Sequence, residues 1–369
     1  MQRRYDIDGL RNVGILLLFP FHTARIFDIW DPFYVKNDAA SWGLSWFIAL
    51  TSYWFMPLLF WLAGSASWFA LQRRSDKQYM KERFSRLFVP LLAGTLLVVP
   101  PQGYFALKAR GEEPGDYFDF LLGYFPDFSD LSGYAGSFTP AHLWFILYLF
   151  AFALIALPMF RRLLQFEDSA PVRRALRLIS RPPFFIALFV PLTALQALPA
   201  PGGQNPFYYF FIYVTGFLVC VHPNFADMLA KCRLHALAAL LITVPVWLWM
   251  MYRFHGAADF SAINILLTLL GTLNVWLTLI VITGYGSKLL NFRHRWLDYA
   301  NEAAFPIYVI HQTVIVVIGY YVVRFEWNLY AKFVVTLMVS FAVSCLLYDG
   351  VIRRFGMLRW LFGIKRQRR

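Results

Sequence analysis

The chain is short of charge. Asp, Glu, Lys and Arg make up 15% of its 369 residues, against roughly 25% in a soluble domain. That is too little polar surface to cover a folded chain in water, and it excludes a compact soluble enzyme. The same composition excludes disorder and a collagen-like repeat. Cysteine is scarcer still: Cys220, Cys232 and Cys345 stand alone, with no CxxC spacing. Their odd number and apolar settings speak against a disulfide or zinc framework and mark them as small core residues. Two-residue alternation is missing from the apolar runs, which argues against an outer-membrane barrel.

What the chain has in excess is apolar sequence, 59% of all residues. A spanning helix uses about 20 apolar residues, so this content supplies about ten spans. The expected fold is all-α, a polytopic membrane protein forming a single integral membrane domain over residues 1–369. The spans fall near 10–30, 46–71, 85–107, 141–160, 183–199, 207–221, 235–252, 262–284, 300–323 and 330–351, the fifth and sixth being short. The first run, from Leu10, is long enough to be a true span, so no cleavable leader is expected.

Charge asymmetry orients these spans. With the amino terminus inside, segments 1–9, 72–86, 161–182, 222–234, 286–298 and 352–369 hold 26 of the 34 basic residues. The outer segments hold six, Arg25, Lys36, Lys108, Arg110, Arg253 and Arg324, and Arg11 and Lys332 fall within spans. The positive-inside rule therefore places both termini in the cytoplasm and accounts for most of the net charge of +13. The tail Lys365-Arg366-Gln367-Arg368-Arg369 reads as a juxtamembrane basic anchor rather than a nucleic-acid arm. The longest outer loop, about 108–140, mixes Glu112, Glu113, Asp116, Asp119, Asp127 and Asp130 with Tyr117, Phe118, Phe120, Tyr124, Phe125, Phe128 and Tyr134. Aromatic faces and carboxylates suit a sugar; the alternative is a plain acidic, interfacial loop.

Ionisable residues inside a bilayer are costly and mark function by default. The first span carries Asp8, Arg11 and, eleven residues on, His22. Eleven steps of 100° bring Arg11 and His22 onto one helix face, roughly 16 Å apart along the axis. Asp8 can pair with Arg11 three residues later. Cations at the inner end could hold a reagent whose reactive group reaches a base three turns deeper, and histidine suits that base. The competing reading is a core histidine with a snorkelling arginine. Arg73, Arg74, Lys77, Lys81, Arg83 and Arg86 crowd the next inner loop. Arg83 and Arg86 share a helical face and could clamp phosphate, although positive-inside bias also explains them.

Taken together, these residues resemble the acyltransferase-3 superfamily of polytopic membrane acyltransferases. Asp8-Gly9-Leu10-Arg11 with ten residues to His22 is similar to its Arg-x10-His signature. Arg83-Phe84-Ser85-Arg86, followed by Leu87-Phe88-Val89-Pro90, resembles its cytoplasmic Arg-x-x-Arg motif. His142-Leu143-Trp144-Phe145-Ile146-Leu147 resembles the start of its fourth span. Phe305-Pro306-Ile307-Tyr308-Val309-Ile310-His311 resembles its late span ending in Tyr-x-x-His. Phe19-Pro20-Phe21-His22 and the Ser287-Lys288-Leu289-Leu290-Asn291-Phe292 loop look most like its glucan-modifying branch. Where the family shows Ser-Gly near the end of the second span, this chain has Ala63-Gly64.

The resemblance implies O-acylation, by acetyl or succinyl, of an extracytoplasmic glycan, with acyl-CoA as the cytoplasmic donor and no metal. It implies a multi-pass protein of the inner (plasma) membrane. On this reading His22, Arg11 and His311 are catalytic, and Arg83, Arg86 and Arg11 hold the CoA phosphates. His142, Trp144 and Tyr308 are candidates for acceptor contact or oxyanion stabilisation. His22 either removes the acceptor's proton or becomes transiently acylated. Residues 1–369 include no appended esterase-like domain, so transfer is expected from the membrane domain itself or a partner. His222 and Asp227 spell His-x4-Asp, read here as accidental. The rival class is a polytopic transporter or exporter of a glycan or small molecule, which calls for paired broken helices; no such pairing is visible in the sequence.

Overall fold

The computed structural model describes residues 4–364, and among these there are helices and no strand. In chain order the elements are α1 (Tyr5–Ala24), α2 (Trp42–Leu71), α3 (Asp76–Ala109), α4 (Tyr117–Tyr124), α5 (Ala141–Phe166), α6 (Ala170–Ile179), α7 (Pro182–Leu195), α8 (Pro206–Val221), α9 (Asn224–Arg253), α10 (Ala262–Leu289), α11 (Arg295–Val322), α12 (Leu329–Ile352) and α13 (Gly356–Leu361). Seven of them, α2, α3, α5, α9, α10, α11 and α12, are long and apolar enough to cross a membrane. They correspond to seven of the ten expected spans.

The other three expected spans take different forms. In place of 10–30, α1 starts at Tyr5 and carries Asp6, Asp8 and Arg11, then stops at Ala24. Its end is a tight turn in which Ile26 and Phe27 donate to the carbonyls of Thr23 and Ala24. The Lys36 ammonium seals the turn by donating to the carbonyls of Arg25 and Asp28 and to the Asp28 carboxylate, the last at 2.6 Å. In place of 183–199, α7 is bent by 81° from α6, where Arg181-Pro182-Pro183 removes two backbone donors. In place of 207–221, α8 has 16 residues, with Asn205 capping Tyr208 N–H. The basic tail 365–369 lies outside the described residues.

By their contacts the described residues form two compact units. The first comprises residues 4–11, Ser52–Tyr79 and Phe152–Arg293. Here α2 meets α8 backbone to backbone. A Cβ on Gly64 would stand 1.9 Å from the Tyr213 carbonyl oxygen, and one on Gly216 would stand 2.1 Å from that of Trp61. Only glycine permits this approach, which lets Ser65 Oγ donate to the Gly216 carbonyl at 2.8 Å. Gly64, where the sequence reads Ala-Gly rather than Ser-Gly, is thus a packing residue. Around it Trp61 packs on Trp276, and Phe160 stacks on Phe217 with ring centres 3.6 Å apart.

The second unit comprises Asn12–Thr51, Met80–Ala151 and residues 294–364. Its core joins Phe19, Phe27, Phe33 and Tyr34 to Ile307, Ile310, Ile315 and Tyr348. α3 is wound unevenly, with π turns at Phe84–Phe88 and Gly94–Val98; such bulges occur often at functional sites. The second one opens at Gly94, where a Cβ would come within 2.6 Å of Leu143. That small residue lets the start of α5 approach α3. Ala141, just ahead, has φ of 47°, a conformation an L-residue adopts at a cost, and the next side chain, His142, is buried.

Candidate active site

Three histidines from three helices meet in the second unit. α1 supplies His22, α11 supplies His311 and the start of α5 supplies His142. The ring centres of His22 and His311 are 5.2 Å apart, and those of His311 and His142 are 5.1 Å apart. Apolar rings close the flanks: Phe33 stacks on His22, and Phe19 lies against His311. His311 is 1% exposed, so its ring is shut off from bulk solvent.

Backbone carbonyls decide the ring tautomers, because a carbonyl can only accept. His311 Nδ1 lies 2.6 Å from the Tyr308 carbonyl. It therefore carries the proton, and in the neutral ring Nε2 is a lone pair. His142 Nε2 lies 3.0 Å from the Val309 carbonyl, so there Nε2 carries the proton and Nδ1 accepts. Nδ1 of His22 and Nε2 of His311 are buried and have no hydrogen-bond partner among the described residues. A buried polar atom without a partner is costly. Here two such atoms belong to adjacent rings.

These three histidines stand on the segments that the sequence singled out. The family description "Acyltransferase domain" matches residues 4–349. The chain belongs to the acyltransferase-3 family. It is therefore an acyltransferase, and its long apolar helices make it a multi-pass membrane one. Curated relatives extend over nearly its whole length. Glucans biosynthesis protein C of Salmonella schwarzengrund is 23% identical, covering 98% of this chain and 95% of that protein. The proteins of the same name from Salmonella typhi and Salmonella typhimurium are 24% identical over the same shares. No solved structure matches the chain.

The remaining sequence-derived residues of the acyltransferase are dispersed. Tyr308 adjoins the row, but its hydroxyl already donates to the His142 carbonyl. Trp144 sits two residues beyond His142, with its ring on Tyr148 and Phe145. Arg11 belongs to the first unit and pairs with Asp8 at 3.2 Å, the same-face pairing its spacing implies. Arg83 and Arg86 flank and enter the first π turn of α3, and Arg86 pairs with Glu82 at 3.4 Å. His222 Nδ1 accepts from Asn224 N–H, a local turn at the start of α9. Among the described residues no group of three His, Cys, Asp or Glu is arranged to hold a metal ion.

In the outer loop most of the carboxylates are engaged within the loop. Asp116 caps α4 by accepting from Phe118 N and Asp119 N. Asp127 accepts from Ser129 N, and Asp130 accepts from Ser132 N, Ser132 Oγ and Ala135 N. Glu112 pairs with Arg110 at 2.9 Å. Four of the six carboxylates therefore shape the loop itself. Burial would push the Asp130 carboxyl up, but hydrogen bonds from Ser132 and Ala135 and the Arg110 charge outweigh it and hold it below the ordinary aspartate range.

Sequence reasoning missed the polar residues behind the row. Gln102 is fully buried and Gln312 is 4% exposed. Thr313 lies 2.7 Å from Gln102 Nε2. It also missed Arg25, which pairs with Asp31 at 2.6 Å just beyond His22. The available signal was an amide inside an apolar run, as costly to bury as a hydroxyl and as informative.

Proposed function

We propose that this acyltransferase moves an acetyl or succinyl group from cytoplasmic acyl-CoA to a hydroxyl of an extracytoplasmic glycan. The observation that carries this reading is the histidine row, with buried, unpartnered nitrogens on His22 and His311. His22 takes the proton of the acceptor hydroxyl while its oxygen bonds to the thioester carbon. The carbon–sulfur bond then breaks, and the CoA thiolate leaves with a proton returned from histidine. His311 offers its Nε2 lone pair to the same centre and can share the charge. Transfer through an acylated His22 is the second form of the same reaction. Arg83 and Arg86 hold the CoA phosphates, and Arg11 keeps its sequence-derived role as a catalytic and donor-binding candidate. His142, Trp144 and Tyr308 border the acceptor side.

On this reading residues 1–369 act as one domain in the inner (plasma) membrane. Adding α1, α7 and α8 to the seven long helices gives ten crossings with both termini cytoplasmic, supported by the distribution of Lys and Arg. The names of the relatives support a glucan as acceptor. The test is incubation of purified protein with labelled acetyl-CoA or succinyl-CoA and a glucan. Label on the glucan that disappears in His22→Ala supports the reading. No transfer and no CoA binding, with wild type and variant alike, would overturn it.

A further inference from the structure

We propose that Gln102 is a positioning residue that holds His142 as a neutral spacer beside His311. The hydrogen bonds behind the row run in one direction, set by a single carbonyl. Pro100 and Pro101 have no N–H, and the Gln102 N–H turns to the Val99 carbonyl at 2.8 Å. The Val98 carbonyl instead accepts the Thr313 hydroxyl at 2.7 Å. A hydroxyl has one proton to give. With that proton on Val98, Thr313 Oγ1 must accept, and it does so from Gln102 Nε2 at 2.7 Å. The Gln102 amide is therefore oriented, and its oxygen accepts from Gln312 Nε2 at 2.8 Å.

The second N–H of Gln102 faces His142 Nδ1 at 3.5 Å. A donor aimed at Nδ1 is compatible only with a lone pair there. On the other side, the Val309 carbonyl requires a proton on Nε2. His142 is thus fixed from both sides in one neutral tautomer; a second proton would point at the Gln102 N–H. The consequence reaches the reaction centre, because His142 lies 5.1 Å from His311 between ring centres. A charge on His142 would oppose any proton taken up by His311 or His22. The other titratable neighbours of the row are Tyr308, whose hydroxyl is bonded, and Arg25, which is paired with Asp28 and Asp31. With His142 uncharged, the row is free to hold one positive charge at the His22–His311 end. Only the kinetic consequence rests on the acyltransferase reading above.

The test is ring-nitrogen NMR of isotope-labelled protein in lipid nanodiscs, with His142 assigned by its missing signals in His142→Asn. In wild type at neutral pH, His142 is expected as the Nε2–H tautomer. Gln102→Glu keeps the volume but replaces the donor by an acceptor, and His142 is expected to become doubly protonated. Thr313→Val leaves Gln102 in place but releases its amide, and His142 is expected to populate both tautomers. If the protein transfers acyl groups, Gln102→Glu should lower kcat roughly tenfold or more, with the donor KM within about twofold. A wild-type His142 carrying its proton on Nδ1, or a His142 spectrum unchanged in both variants, overturns the proposal whether or not transfer is seen.

Discussion

Two polar regions of the second unit use the same residue chemistry in opposite ways. In the outer loop, Asp116, Asp127 and Asp130 spend their acceptors on backbone N–H groups within five residues. In the histidine row, the polar atoms belong to residues far apart in the chain, and two ring nitrogens are left over. The loop carboxylates hold their own backbone, whereas the two ring nitrogens are left open beside each other. In the sequence both regions carry a functional and a plain reading, and their bonding patterns differ.

The sharpest way to break this contrast is to remove a row histidine. His22→Ala is expected to lower acyl transfer by about 10²- to 10⁴-fold, the usual contribution of a general base. His311→Gln is expected to fall in the same range, and size-exclusion profiles should show both variants folded. Next comes the proposed donor end. Arg83→Ala and Arg86→Ala should raise the acyl-CoA KM by roughly tenfold each, as loss of a charge-assisted hydrogen bond requires, with kcat little changed. A fall in kcat at unchanged KM would place these arginines elsewhere in the reaction.

A packing change supplies the architectural reference. Gly216→Ala forces a methyl group against the Trp61 carbonyl and should destabilise the first unit by about 1–3 kcal/mol, read as a lower melting temperature in detergent. The smallest effect is expected in the loop. Asp130→Asn should change kcat less than about twofold while raising protease cleavage within residues 111–139. The Asp130 carboxyl is held below the ordinary range in the folded loop. Its support is therefore present above the unfolded value and lost as the pH falls through the lowered folded one. Cleavage should rise only below about pH 4; a change between neutral and mildly acidic pH would contradict that assignment.

The long apolar runs gave seven helices directly, because lipid-facing segments must be both apolar and helical. The uneven ones were harder to read. The turn that ends α1 is sealed by Lys36 on Asp28, and Lys36 lies beyond a window over residues 10–30. The bend between α6 and α7 was written in Pro182-Pro183, but its 81° was not. In the site, His22 stood out because a titratable ring in an apolar helix calls for a reason. His142, His311 and Tyr308 came from the family resemblance. Gln102 left one signal, an amide in an apolar run, but its role and that of Thr313 lie in hydrogen-bond direction, which depends on a carbonyl of another turn. For the loop carboxylates, composition reports capacity for hydrogen bonds and not where that capacity goes.

The central claim joins an inner donor to an outer acceptor through the histidine row. It is tested most directly by sealed vesicles carrying the protein in one orientation, with glucan enclosed on the outer-facing side and labelled acyl-CoA added on the cytoplasmic side. Labelled glucan inside the vesicles with wild type, and none above background with His22→Ala or His311→Gln, is the predicted result. Enclosed glucan labelled equally by wild type and both variants would contradict the account.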